Sequence, residues 1–104
     1  MTTRDRLDNR RQSETFDITF GGHTYTVSAG FYPDGRIGEV FIAGRKAGSQ
    51  ADDAARDAAI AASFALQHGA PLDKLRAALT RNSAGEAEGV LAIALDSIAE
   101  GGAL

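Results

Sequence analysis

The sequence predicts an α+β two-layer fold of order βββααα: a three-stranded antiparallel meander, then three helices, with a long Ala-rich helix packed on the sheet. Three observations carry this expectation. Apolar and polar residues alternate strictly from Glu14 to Phe20 and stop at Gly21-Gly22. A long Ala-rich segment runs between Ser49 and Gly69. Strands and helices are segregated along the chain, without the βαβ alternation that builds parallel sheets.

The first strand places Phe16, Ile18 and Phe20 on one face and Thr15, Asp17 and Thr19 on the other, the period-2 pattern of a half-buried strand. Gly21-Gly22 suits the positive φ values of a two-residue hairpin turn. That turn fixes the register: Phe20 faces His23, Ile18 faces Tyr25 and Phe16 faces Val27. The second strand runs to about Phe31-Tyr32, and Pro33-Asp34-Gly35 makes the next turn. The third strand, Ile37–Ala43, carries apolar side chains on both faces, so it is expected to be covered twice, by helices and by a further surface such as another subunit.

Ser49 is a good N-cap for the long helix, with Asp52 in the capping-box position and Asp53 adding favourable charge to the first turn. Eighteen residues span about 27 Å, enough to cross the sheet diagonally. Gly69 ends the helix. Pro71 opens a short helix with Leu72, Leu75 and Leu79 at helical spacing. After the loop Asn82–Gly85, a last helix is expected from about Glu86 to Ala99, stopped by Gly101-Gly102.

Composition narrows the function classes. The 104 residues suit one small domain, and a core rich in Ala buries little area per residue, so a homo-oligomer is expected. A net charge of −3 argues against general nucleic-acid binding. The chain has no Cys, which excludes disulfides and thiolate chemistry. No apolar run approaches the ~20 residues that span a bilayer, and the N-terminus lacks a signal-peptide core, so a cytoplasmic protein without membrane contact is expected. Residues 1–13, with Arg4, Arg6, Arg10 and Arg11, read as a flexible basic arm, and residues 14–104 as a single α+β domain.

The strand-to-helix loop Gly44-Arg45-Lys46-Ala47-Gly48-Ser49 is the best candidate for chemistry. Glycines allow close backbone approach, Arg45 and Lys46 supply charge, and the helix N-terminus that follows offers unpaired N–H donors. Arg45, Lys46, Gly48 and Ser49 are therefore the candidate anion or phosphate ligands. The competing reading is a plain connector with two solvated cations, and Asp52-Asp53 would repel an anion at close range. The loop is not a Walker A sequence, since no Lys directly precedes Ser or Thr. His23 and His68 lack a third ligand at metal-site spacing, and no Ser sits in a nucleophile elbow. Tyr25, Phe31 and Phe41 are more economically read as core than as a base-stacking platform. No catalytic residue, metal or cofactor is expected.

The runs Gly35-Arg36-Ile37-Gly38-Glu39-Val40-Phe41-Ile42, Lys46-Ala47-Gly48-Ser49 and Ala65-Leu66-Gln67-His68-Gly69-Ala70-Pro71-Leu72 resemble the TSCPD domain. That domain occurs at the C-terminal end of adenosylcobalamin-dependent ribonucleotide reductases and as small standalone proteins in bacterial and phage genomes. The similarity spans roughly residues 24–99, and the arm looks like that of the standalone members. The departure is specific: where the family carries Thr-Ser-Cys-Pro-Asp, this chain reads Thr80-Arg81-Asn82-Ser83. A role that depends on that cysteine cannot carry over. The resemblance implies a non-catalytic domain that binds a nucleotide-type or other anionic ligand, related to reductases by kinship or to phage proteins. The alternative is an oligomerisation or interaction module with no small ligand.

Overall fold

The computed structural model describes residues 3–45 and 48–101. Strands β1 (Ser13–Phe20), β2 (His23–Phe31) and β3 (Ile37–Gly44) form one antiparallel sheet of order β1-β2-β3, followed by α1 (Gln50–Gln67), α2 (Leu72–Ala78) and α3 (Val90–Ala99). The βββααα order expected from patterning is what the chain adopts. The hairpin register agrees pair for pair: Phe20 opposes His23, Ile18 opposes Tyr25 and Phe16 opposes Val27. Gly21 and Gly22 take φ of 60° and 79°, the left-handed values that this turn requires.

Phe16, Ile18, Tyr25, Val27, Ala29, Val40 and Ile42 share the face under the helices. Ala55, Ala59, Ala62 and Leu66 of α1 and Ala94, Leu95 and Ile98 of α3 close the core over them. Helix α1 packs chiefly on β3 and runs along its outer edge instead of crossing the sheet diagonally. Three polar side chains of α1 explain that placement. The Gln67 amide donates to the Gly38 carbonyl at 2.9 Å. The Ser63 hydroxyl accepts from Val40 N–H and donates to the Val40 carbonyl, both at 2.9 Å. The Asp52 carboxylate accepts from Gly44 N–H at 2.6 Å. Edge-strand groups that would otherwise lack partners are thereby satisfied.

The start of the last helix differs from the sequence reading. Helix α3 begins at Val90, not Glu86, because Arg81 and Ala87 form a β-bridge and Glu88 N–H donates to the Thr80 carbonyl. The loop thus holds residues 86–88 out of the helix. The cover over β3 varies along its length: Val40 and Ile42 lie beneath α1, and on the opposite face Glu39 is buried against Arg11 while Phe41 is 49% exposed.

The segment before β1 makes specific contacts. Asp5 N–H donates to the Gln67 carbonyl at 2.7 Å, and the Tyr32 hydroxyl donates to the Asp5 carbonyl. Arg4 bonds the Gln67 side chain, and Arg11 pairs with Glu39. Gly38 leaves the slot for this docking, since a Cβ there would meet the Tyr32 ring at 2.6 Å and Leu7 at 2.9 Å.

Candidate functional site

The loop between β3 and α1 begins where β3 ends opposite Tyr25, and Arg45 N–H continues the ladder to the Thr24 carbonyl at 3.2 Å. Gly48 turns the chain with φ of 84°, and Ser49 starts α1 by accepting Asp52 N–H on its hydroxyl at 3.0 Å. This is the N-cap that the sequence predicts. Arg45 and Ser49 line one hollow of about 180 Å³, together with His23, Thr24, Tyr25 and Asp52. Lys46, the second expected cation, lies outside the described residues.

Two internal carboxylates meet this loop. Arg45 pairs with Asp17 across the open face of the sheet, where both side chains are exposed. The Thr26 hydroxyl, at 2.9 Å, and then the Arg45 guanidinium hold the Asp17 carboxyl below its ordinary range. Asp52 is only 2% exposed. Its carboxyl is lowered first by the Gly44 N–H, with Arg56 at 3.2 Å and the Gly48 N–H adding to the effect. Backbone donors that the sequence reading assigned to an external anion are therefore partly taken by Asp52. Among the described residues of the loop, Arg45 presents an exposed cationic side chain.

Other expected groups are dispersed. His23 is exposed at the rim of the Arg45–Ser49 hollow, whereas His68 caps the far end of α1 with Nδ1 at 2.8 Å from the Phe64 carbonyl. Among the described residues no three His, Cys, Asp or Glu side chains cluster as a metal site. Nor is any described helix long and apolar enough to cross a membrane. Tyr25 is buried and Phe31 packs on the core, whereas Phe41 faces the other way, so the three aromatics form no common platform.

Sequence reasoning missed two features. The first is a charged knot at Asp96, where Arg81 binds the carboxylate through two nitrogens at 2.8 and 2.9 Å and Arg76 binds it at 2.9 Å. These bonds, led by Arg81, hold the Asp96 carboxyl down to about 2. Arg81 lies within the run that stands where the TSCPD signature would be, so the departing segment has an internal anchor of its own. No periodicity links residues 76, 81 and 96. The second is an exposed apolar surface made by Phe41, Ile60 and Phe64. Ile60 and Phe64 stand four residues apart on α1, a helical spacing that alone does not assign them to core or solvent.

The TSCPD domain family matches the chain over residues 2–101. The chain is also similar to B12-dependent ribonucleotide reductases. It is 43% identical over 77 residues to that of Agrobacterium fabrum, covering 74% of this chain and 6% of the relative. To that of Bradyrhizobium diazoefficiens it is 39% identical over 80 residues, covering 77% and 6%. To that of Rhodopirellula baltica it is 41% identical over 70 residues, covering 67% and 7%. The chain thus spans a small fraction of the length of these relatives. No solved structure gives a significant match. On the family match and these identities together, the chain belongs to the TSCPD-domain family.

Proposed function

We propose that the chain is a non-catalytic binding domain that takes a nucleotide-type or other anionic ligand at the Arg45–Ser49 end of the sheet. The observation that carries this reading is the common hollow lined by Arg45 and Ser49 at the start of α1. Its volume of about 180 Å³ lies below the roughly 300–1,000 Å³ of pockets that enclose whole ligands. A phosphate-sized group fits that space, with the rest of the molecule outside. The Arg45–Asp17 pair is exposed and screened by solvent, so Arg45 can exchange Asp17 for a ligand oxygen. Asp52 opposes an anion less than a bare carboxylate would, because Gly44 N–H and Arg56 already compensate its charge. Kinship with ribonucleotide reductases makes the nucleotide class the first to test.

Calorimetric titration with mononucleotides, cyclic dinucleotides and pyrophosphate checks the site. Arg45→Ala/Lys46→Ala is expected to weaken binding about tenfold or more, as loss of charge-assisted hydrogen bonds implies, with little change in unfolding midpoint. Undiminished affinity in the double variant overturns the site, and no binding by the parent chain overturns the reading.

A second reading, association with another protein surface, is favoured by the half-exposed Phe41, Ile60 and Phe64. Under it, replacing Ile60 with Glu removes association and leaves any anion binding intact.

A further inference from the structure

The face of α1 turned away from the core is unevenly built. Asp53, Asp57, Ile60, Phe64 and His68 follow one another at spacings of four and three along an exposed seam. Asp53 and Asp57 make its N-terminal half acidic, with Arg56 to one side held by Asp52. Its C-terminal half is aromatic and basic: the Arg4 guanidinium sits 4.4 Å over the Phe64 ring, and His68 stacks on the same ring with centroids 6.5 Å apart. Ile60 and Phe64 at the middle are 48% and 46% exposed. Ala61 beside them is small enough for backbones to approach closely.

A helix face with an acidic half, an apolar centre and a basic half is self-complementary under a two-fold rotation. Turned antiparallel about a point between Ile60 and Ala61, a second α1 brings its Phe64 and Arg4 over Asp57, and its His68 over Asp53. Opposed macrodipoles run in the same favourable sense. A parallel arrangement would set acid on acid and is disfavoured. Phe41 widens the apolar centre, since it lines one hollow with Ile60 on the open side of β3. The outer edge of β3 is already bonded to α1 at Gly38, Val40 and Gly44, which favours helix pairing over strand addition there.

We infer that a second copy of this chain docks on this face, giving an isologous dimer with α1 antiparallel to its counterpart. This rests on the association reading and names its partner; it does not depend on the anion site.

The absence of native Cys makes a direct test available. In the full chain, Ala61→Cys lies at the two-fold and is expected to cross-link to itself on mild oxidation. Asp53→Cys is expected not to, because its two copies sit about 22 Å apart along the helix axis, fifteen residues at 1.5 Å each. Sedimentation should show a dimer that Phe64→Glu weakens at least tenfold. The swap Asp57→Arg with Arg4→Asp should retain the dimer that either single change weakens. A chain that sediments as a monomer throughout the micromolar range overturns the inference. So does a dimer indifferent to Phe64→Glu, or one that cross-links through Asp53→Cys. If the chain is monomeric yet Ile60→Glu abolishes binding to a different protein, the self-pairing fails while the association reading stands.

Discussion

Asp96 shows how much one side chain can carry where the sequence offers no pattern. Two arginines from α2 and the following loop converge on it, and its carboxyl is held at about 2 against an ordinary value of 3.8. A carboxyl depressed in the folded state stabilises the fold above its unfolded pKa, and that contribution disappears as pH falls through the folded one. The shift corresponds to roughly 2 kcal/mol, given a side chain that is 19% exposed. The parent chain is therefore expected to exceed Asp96→Asn in unfolding free energy by about that amount above pH ~4. The gap should close as pH falls towards about 2, read by chemical denaturation at each pH. Nothing in residues 76–96 announced this contact, because long-range ion pairs leave no periodic trace. Ser49 is the opposite case: its role as N-cap follows from the local chemistry of the helix start.

Among the elements, the hairpin β1–β2 was legible down to its register, because a Gly-Gly turn and a period-2 face independently specify the same pairing. Helix α1 was legible in length and limits but not in position. Its Ala content announced a close approach, yet the target of that approach is decided by Ser63 and Gln67, ordinary helix residues until the edge of β3 lies beside them. Ser63 bonds both the N–H and the carbonyl of Val40, so its removal strands two polar groups beneath the helix. Ser63→Ala is expected to cost roughly 1–3 kcal/mol in denaturant unfolding. A change within a few tenths would mean that α1 holds the edge by packing alone. The start of α3 was misplaced for a related reason: the Arg81–Ala87 bridge competes for residues that helix propensity alone would have included.

At the scale of the molecule, a small sheet has one face under Ala-rich helices, an apolar flank beside β3 and, among the described residues, Arg45 set between Asp17 and Asp52 at the loop before α1. The family was legible in short runs of residues, whereas the way the loop before α1 folds was not. Glycines and cations drew attention to the loop as a place where charge meets a helix start. They could not reveal that Asp52 folds back to take its N–H groups, because that requires β3 and α1 to be in contact. If an anion is held outside Asp52 by this loop, a nucleotide titration followed by amide chemical shifts should give saturable shifts concentrated at His23, Thr24, Arg45, Gly48 and Ser49. Shifts confined to a separate hollow of about 440 Å³ lined by Phe31, Leu66 and Ile98, or none at saturating nucleotide, would overturn the Arg45 site.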